Sequence, residues 1–235
     1  MEQGSTRMLK SHFREASHCL ELNSAPWVYG RVCRRWQDIS VHTPLLWTRV
    51  KIQIEQIVSK RYFPTPKRVF FHQLPFGLSL LSLYLGRSNA LPLTVYLDLN
   101  WSTFSTRSSS TSNCDYGVST MVFSHSRRWE SLFLPNGQGI KAATFSADSF
   151  PLLENLHTCY QSSPIDIPAP GLRSWSTVGS PNPSSSVTLL PTTLCGQITD
   201  YSSSGTSYRE VLRTVQLLPN LCRLAVGDLT EKFIA

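Results

Sequence analysis

Apolar residues recur at Val28, Val32, Trp36 and Ile39, in steps of four, four and three, with Tyr29 beside them. This spacing predicts one face of a helix. Ser24-Ala25-Pro26 offers a cap-like residue and a proline suited to a first turn, so the helix is expected to begin there. His42-Thr43-Pro44 predicts its end, because a residue before proline is pushed out of the helical region. Leu45, Leu46 and Trp47 then form a compact apolar turn, and Val50, Ile52 and Ile54 alternate with Lys51 and Gln53 as a half-buried strand does. A helix cannot bury its stripe alone, so Trp36 and Trp47 are expected to close over one small core.

Further along, Leu78, Leu81 and Leu85 sit at helical spacing among Leu80, Leu83 and Tyr84, which predicts a well-buried helix over 77–87. Leu93, Val95, Leu97 and Leu99 alternate strictly with Thr94, Tyr96 and Asp98. That is the clearest strand in the chain. Residues 102–112 are almost entirely Ser and Thr and predict a loop. Apolar bursts follow at Trp129–Leu134, Leu152–Tyr160, Leu172–Val178, Leu194–Tyr201 and Leu221–Val226, divided by turns. Three share the spacing Leu-x-x-apolar: Leu153-Glu154-Asn155-Leu156, Leu172-Arg173-Ser174-Trp175 and Leu221-Cys222-Arg223-Leu224. Intervals of 19 residues from Leu153 to Leu172 and 22 from Leu172 to Leu194 suit a degenerate leucine-rich repeat, one strand and a return segment per copy. Ser207–Leu218 supplies a return helix with Val211, Leu212, Val215 and Leu218 on one side. Trp175 takes the place of Leu156 and Leu224 and is expected in the core. In a stacked array the residues between the leucines face outward, which nominates Glu154, Asn155, Arg173, Ser174, Cys222 and Arg223 as a partner face.

Charge changes this picture only at the front of the chain. Residues 1–72 hold 12 Lys and Arg against 5 Asp and Glu, so the whole formal charge of +7 resides there. Such an excess attracts an acidic protein surface or nucleic acid. Nucleic acid is disfavoured, since no zinc-finger spacing, GXXG clamp or RNA-binding aromatic signature accompanies the charge. The six cysteines, at 19, 33, 114, 159, 195 and 222, form no close pair and fit a reduced compartment. Met1–Lys10 is polar, which predicts no signal peptide and a cytoplasmic or nuclear location. Asn100-Trp101-Ser102 is then only a formal glycosylation acceptor, and no apolar run is long enough to span a membrane.

Candidate chemistry is sparse. Gly137-Gln138-Gly139-Ile140-Lys141-Ala142 has the form of a dinucleotide turn, but Pro135 and Pro151 leave too little room for the helix that must follow it. His157 and Cys159 share a face if their run is a strand, yet His125 and Cys195 lie in other elements without zinc spacing. Asp and Glu are scattered singly, and no H-E-x-x-H, G-x-S-x-G or P-loop occurs. No catalytic, cofactor-binding or metal-binding residue is therefore nominated, and an enzyme is not expected.

The string Ser24-Ala25-Pro26-Trp27-Val28-Tyr29-Gly30-Arg31-Val32-Cys33-Arg34-Arg35-Trp36-Gln37-Asp38-Ile39-Ser40, continuing through Thr43-Pro44-Leu45-Leu46-Trp47, carries more information. It closely resembles the C-terminal half of the F-box-like domain in a large family of proteins from mushroom-forming fungi, the basidiomycetes. Later landmarks resemble the same family: Arg87-Ser88 through Leu93, His125–Trp129, Phe150–Leu156 and Ala169-Pro170-Gly171-Leu172-Arg173-Ser174. The resemblance implies an α/β chain with a short helical F-box-like module at 11–49, partial because Ser11–Leu22 lacks the family's Leu-Pro-x-Glu opening, and an irregular leucine-rich-repeat-like array at 50–235. It implies a module core of Pro26, Trp27, Val28, Val32, Cys33, Trp36, Ile39, Leu46 and Trp47. It also implies two partners, the small adaptor subunit of a cullin-based ubiquitin ligase on the F-box and a protein substrate on the repeats. The alternative is a truncated repeat scaffold that binds a protein without ligase coupling.

Overall fold

A computed structural model describes residues 22–23, 25–54, 77–99, 118, 120–135, 149–159, 167–178, 192–205 and 207–227. The chain forms a mixed α/β fold on one parallel sheet. Among the described residues seven strands lie side by side in chain order: β1 (Arg49–Ile54), β2 (Leu93–Leu99), β3 (Trp129–Leu134), β4 (Asn155–Cys159), β5 (Ser174–Val178), β6 (Asp200–Ser204) and β7 (Arg223–Val226). Parallel neighbours cannot be joined by tight hairpins, so a return segment separates each strand from the next. The described helices with stated bounds are α1 (Arg34–His42), α2 (Gly77–Arg87), α3 (Thr192–Cys195) and α4 (Tyr208–Gln216), with further helical residues at 118 and 120–123 and 3₁₀ turns at Trp27–Arg31, Pro44–Trp47 and Ser126–Arg128. None of these helices is long and apolar enough to cross a membrane.

Alternation along each strand sends one row of side chains inward, and the parallel register lines those rows up. Val50 pairs with Val95, Val95 with Leu132, Leu132 with Leu156, Leu156 with Trp175, Trp175 with Tyr201 and Tyr201 with Leu224. All but Leu224 are buried. Leu81 and Leu85 of α2, Val122, Phe150, Leu153, Ile167, Leu172, Leu194, Ile198 and Leu218 join the same hydrophobic cluster from the return segments. Trp175 thus belongs to the core, as its repeat position predicts.

The spacing seen in three copies extends to two more. Trp129-Glu130-Ser131-Leu132 and Ile198-Thr199-Asp200-Tyr201 place buried residues at the same first and fourth positions. A continuous backbone seam ties the copies together where they enter the sheet. The Glu154 N–H donates to the Glu130 carbonyl, the Arg173 and Ser174 N–H groups to Glu154, those of Thr199 and Asp200 to Arg173, and those of Cys222 and Arg223 to Thr199.

Next along the inward side, Leu134, Thr158, Thr177, Ser203 and Val226 form a second row, so hydroxyls replace aliphatic groups at its centre. Their purpose is read from the aromatics beside them. The Trp175 Nε1–H donates to Thr158 Oγ1 at 3.2 Å, and Thr177 Oγ1 lies 3.0 Å from the Tyr201 hydroxyl and 3.3 Å from Ser203 Oγ. Large rings fill the core here while their polar atoms stay satisfied. Thr158→Val should therefore destabilise the protein by about 1 to 3 kcal/mol, the cost of stranding the Trp175 indole N–H. Urea unfolding checks this, with Thr158→Ser, which keeps the accepting hydroxyl, sparing most of that loss.

The N-terminal segment departs from the predicted single helix. Trp27–Arg31 is a 3₁₀ turn, Cys33 adopts an extended backbone with φ −164° and ψ 170°, and α1 starts only at Arg34. That break rotates α1 out of line with Val28 and Val32. Val28, Val32, Cys33, Trp36 and Ile39, expected in a module core, are all exposed, Trp36 by 47 %. Pro26 and Trp47 are buried, and Trp27 and Leu46 pack on the main core. Trp27, not Trp36, closes on Trp47, with ring centroids 5.0 Å apart at 83°, while Trp36 lies beside Tyr29.

Smaller differences have similar causes. α2 covers the predicted span, but only Gly77, Leu81, Tyr84 and Leu85 are buried, and Leu78 and Leu83 face away from the sheet. α4 opens with a capping box, in which Ser207 Oγ accepts from the Glu210 N–H and the Glu210 carboxylate from the Ser207 N–H. Val211 and Leu218 are buried, whereas Leu212, predicted on the same side, is exposed. The Leu194–Tyr201 burst is divided between α3 and β6. The Ser/Thr stretch 102–112, the glycine string 137–142, Ser24, Asn100 and the Cys159 side chain lie outside the described residues.

Candidate protein-binding face

The side chains that alternate with the buried rows share the opposite face of the sheet. At the strand entrances the parallel register aligns Arg49, Thr94, Ser131, Asn155, Ser174, Asp200 and Arg223. One step further it aligns Lys51, Tyr96, Phe133, His157, Ser176, Ser202 and Ala225. The face changes in character across the sheet, from cationic on β1 through aromatic on β2 to β4 to hydroxylic on β5 and β6.

Direct contacts organise both rows. The Lys51 ammonium lies 5.4 Å from the Tyr96 ring centre, a cation–π distance. Phe133 and His157 stack with centroids 3.9 Å apart and planes 2° from parallel. The Asn155 amide donates to Ser131 Oγ at 3.1 Å, Ser202 Oγ donates to Ser176 Oγ at 2.7 Å, and Arg223 Nε lies 3.5 Å from the Asp200 carboxylate. The parallel ladder brings rings from neighbouring strands within stacking distance, and the stacked pair is half-buried.

Of the residues nominated from sequence, Asn155, Ser174 and Arg223 fall in one register row on this face. Glu154, Arg173 and Cys222 precede their strands, exposed at the backbone seam. Tyr96, Phe133 and His157 were not nominated. The signal was present, since Phe133 and His157 each directly follow the fourth residue of a repeat copy and Tyr96 lies between two inward residues.

Other candidate chemistry resolves into structure. The Ser124 hydroxyl lies 3.1 Å from His125 Nδ1, but both groups also bond the Met121 carbonyl and close the end of a helical turn. Burial pushes the Cys195 thiol up and keeps it protonated. Burial also lowers Arg87 and Arg128 from the ordinary guanidinium value. Arg87 lies 4.5 Å from the Trp47 ring centre, and Arg128 donates to the Leu91 carbonyl and Ser88 Oγ, tying the turn after α2 to β3. Among the described residues, no group of three or more His, Cys, Asp or Glu side chains is placed to hold a metal ion.

No protein-family model, curated protein or solved structure matches the chain.

Proposed function

We propose that the chain recruits a protein substrate to a cullin-based ubiquitin ligase, with the F-box-like segment docking the small adaptor subunit and the leucine-rich-repeat-like sheet holding the substrate. The observation that carries the substrate half is the row Lys51, Tyr96, Phe133 and His157, which crosses four adjacent strands on the face opposite the core. Rigid aromatic groups beside a cation and hydroxyls are the composition of an interface centre with a polar rim. The adaptor half rests on the F-box-like string and on the exposed apolar group Val28, Val32, Trp36, Ile39 and Leu45, flanked by the exposed Arg31, Arg34 and Arg35.

The two halves are tested separately. Tagged full-length protein purified from its host should retain the ligase adaptor, and loss of that retention in Val32→Asp with Trp36→Asp would locate the contact. Adaptor that never co-purifies would remove the ligase half and leave a protein-binding scaffold. For the substrate half, Phe133→Ser with His157→Ser should weaken quantitative pull-down of an identified partner by about tenfold or more, as loss of aromatic anchors does. Replacing Glu154, Arg173 and Arg223 together should weaken it less, since exposed charges contribute little each. Unchanged capture by both variants, with circular dichroism and melting unaltered, would reject this face.

A further inference from the structure

The two edges of the sheet are finished differently. On β1 the inward residues Val50 and Ile52 are buried, and Arg49 and Lys51 place two cations on the outward side, a common way of blunting an edge strand. On β7 the inward residues Leu224 and Val226 are 50 % and 41 % exposed, although Tyr201 and Ser203 beside them are buried. Residues 223–226 include neither lysine nor proline, and Arg223 is their only charge. Among the described residues, no strand lies beyond β7.

The hydrogen bonds of β7 identify the groups that its edge presents. The Arg223 N–H donates to the Thr199 carbonyl at 3.0 Å and the Gly227 N–H to the Ser203 carbonyl at 2.7 Å, so the odd-numbered positions face β6. Backbone direction alternates along a strand, which sets the N–H and C=O groups of Leu224 and Val226 along the outer edge.

We propose that β7 accepts an extended segment of a partner protein as an eighth strand, with apolar side chains beside Leu224 and Val226 and an acidic side chain beside Arg223. Main-chain hydrogen bonds would supply the pairing and alternate side chains the selectivity. The acidic preference follows from the row Ser174, Asp200 and Arg223, where the guanidinium is 85 % exposed and, among the described residues, meets a carboxylate only on the β6 side. A second copy of the chain is a poorer fit. An antiparallel β7 pair that keeps Leu224 and Val226 on the buried side sets Arg223 opposite Ala225 or Gly227, with no acid among the described residues of that strand. This inference stands apart from ligase coupling, because neither the adaptor nor the aromatic row enters it.

Fluorescence anisotropy on the full chain tests it, using the labelled peptide Thr-Val-Asp-Val-Thr-Val as the probe. The expected result is saturable binding, weakened about five- to tenfold when the peptide's Asp is replaced by Lys. Arg223→Glu should reverse that preference. Val226→Pro should abolish binding, since it removes an N–H that points away from β6, and N-methylation of alternate peptide amides should do the same without altering the protein. Absence of saturable binding, equal binding of the N-methylated peptide, an unchanged preference in Arg223→Glu, or binding that requires removal of residues 228–235 would each overturn the proposal.

Discussion

Trp47→Ala should lower the stability of the protein by roughly 3 to 5 kcal/mol, the cost of deleting a fully buried aromatic ring and leaving its cavity. Trp47 is 0 % exposed and sits where the N-terminal segment meets the sheet. Its Nε1–H donates to the Ser40 carbonyl of α1 at 2.6 Å, Trp27 and Tyr84 meet its ring edge-on at 5.0 and 5.2 Å, and the Arg87 guanidinium lies over its face. Tyr84 and Arg87 belong to α2, and the Tyr84 hydroxyl donates to the Arg49 carbonyl of β1. One side chain therefore couples three elements, and its loss also removes a hydrogen bond and a cation–π contact. Trp36→Ala, a deletion of the same size, should cost far less because Trp36 is about half exposed. Urea unfolding of both variants gives the comparison, and equal losses would mean that something covers Trp36.

The contrast between these two tryptophans shows what the sequence made legible. Helical spacing through Val28, Val32, Trp36 and Ile39 predicted a buried stripe, but periodicity records a face only while the helix continues. The extended backbone at Cys33 divides the run, and no proline stands there to announce it. Strict alternation made β2 readable residue by residue, because a strand with one buried face leaves its period in local sequence. α4 was readable from the apolar spacing of Val211, Val215 and Leu218, although Leu212, read on the same side, is exposed.

What stayed hidden depends on register between distant segments. Phe133 and His157 are 24 residues apart in sequence and become stacked only when β3 and β4 pair in parallel. The copies at Trp129 and Ile198 lack a leading leucine, so a search for leucine passes over them, although any large apolar residue can fill that inward place. Leu224 occupies a core position by spacing and is half exposed by context, because β7 is the outermost strand among the described residues and its inward side chains have a strand neighbour there on one side only. The outward side of the sheet was half legible on the same grounds. The between-leucine positions Asn155, Ser174 and Arg223 fall in one register row opposite the core, while the aromatic row on that side needed the pairing of four strands.

Trp129 offers the second large effect and a test of how the core handles a polar atom. It is 0 % exposed, with the rings of Phe123 and Phe150 at 5.3 and 5.4 Å, and it lies at a register irregularity where β3 joins β2. Trp129→Ala should cost roughly 3 to 5 kcal/mol, as Trp47→Ala does. Phenylalanine should separate the two sites. The Trp129 Nε1–H is buried without a hydrogen-bond partner among the described residues, whereas the indole N–H of Trp47 is bonded to Ser40. A buried donor left unpaired costs about 1 to 3 kcal/mol, so Trp129→Phe removes a penalty that offsets part of its smaller cavity. Trp47→Phe removes a bond that is made and leaves the Ser40 carbonyl unpaired in its place. Trp129→Phe should therefore be at least 1 kcal/mol less destabilising than Trp47→Phe, by about the net worth of one hydrogen bond. Equal losses in the two phenylalanine variants, measured by urea unfolding with matched slopes, would show that the Trp129 donor is satisfied after all, for example by a buried water.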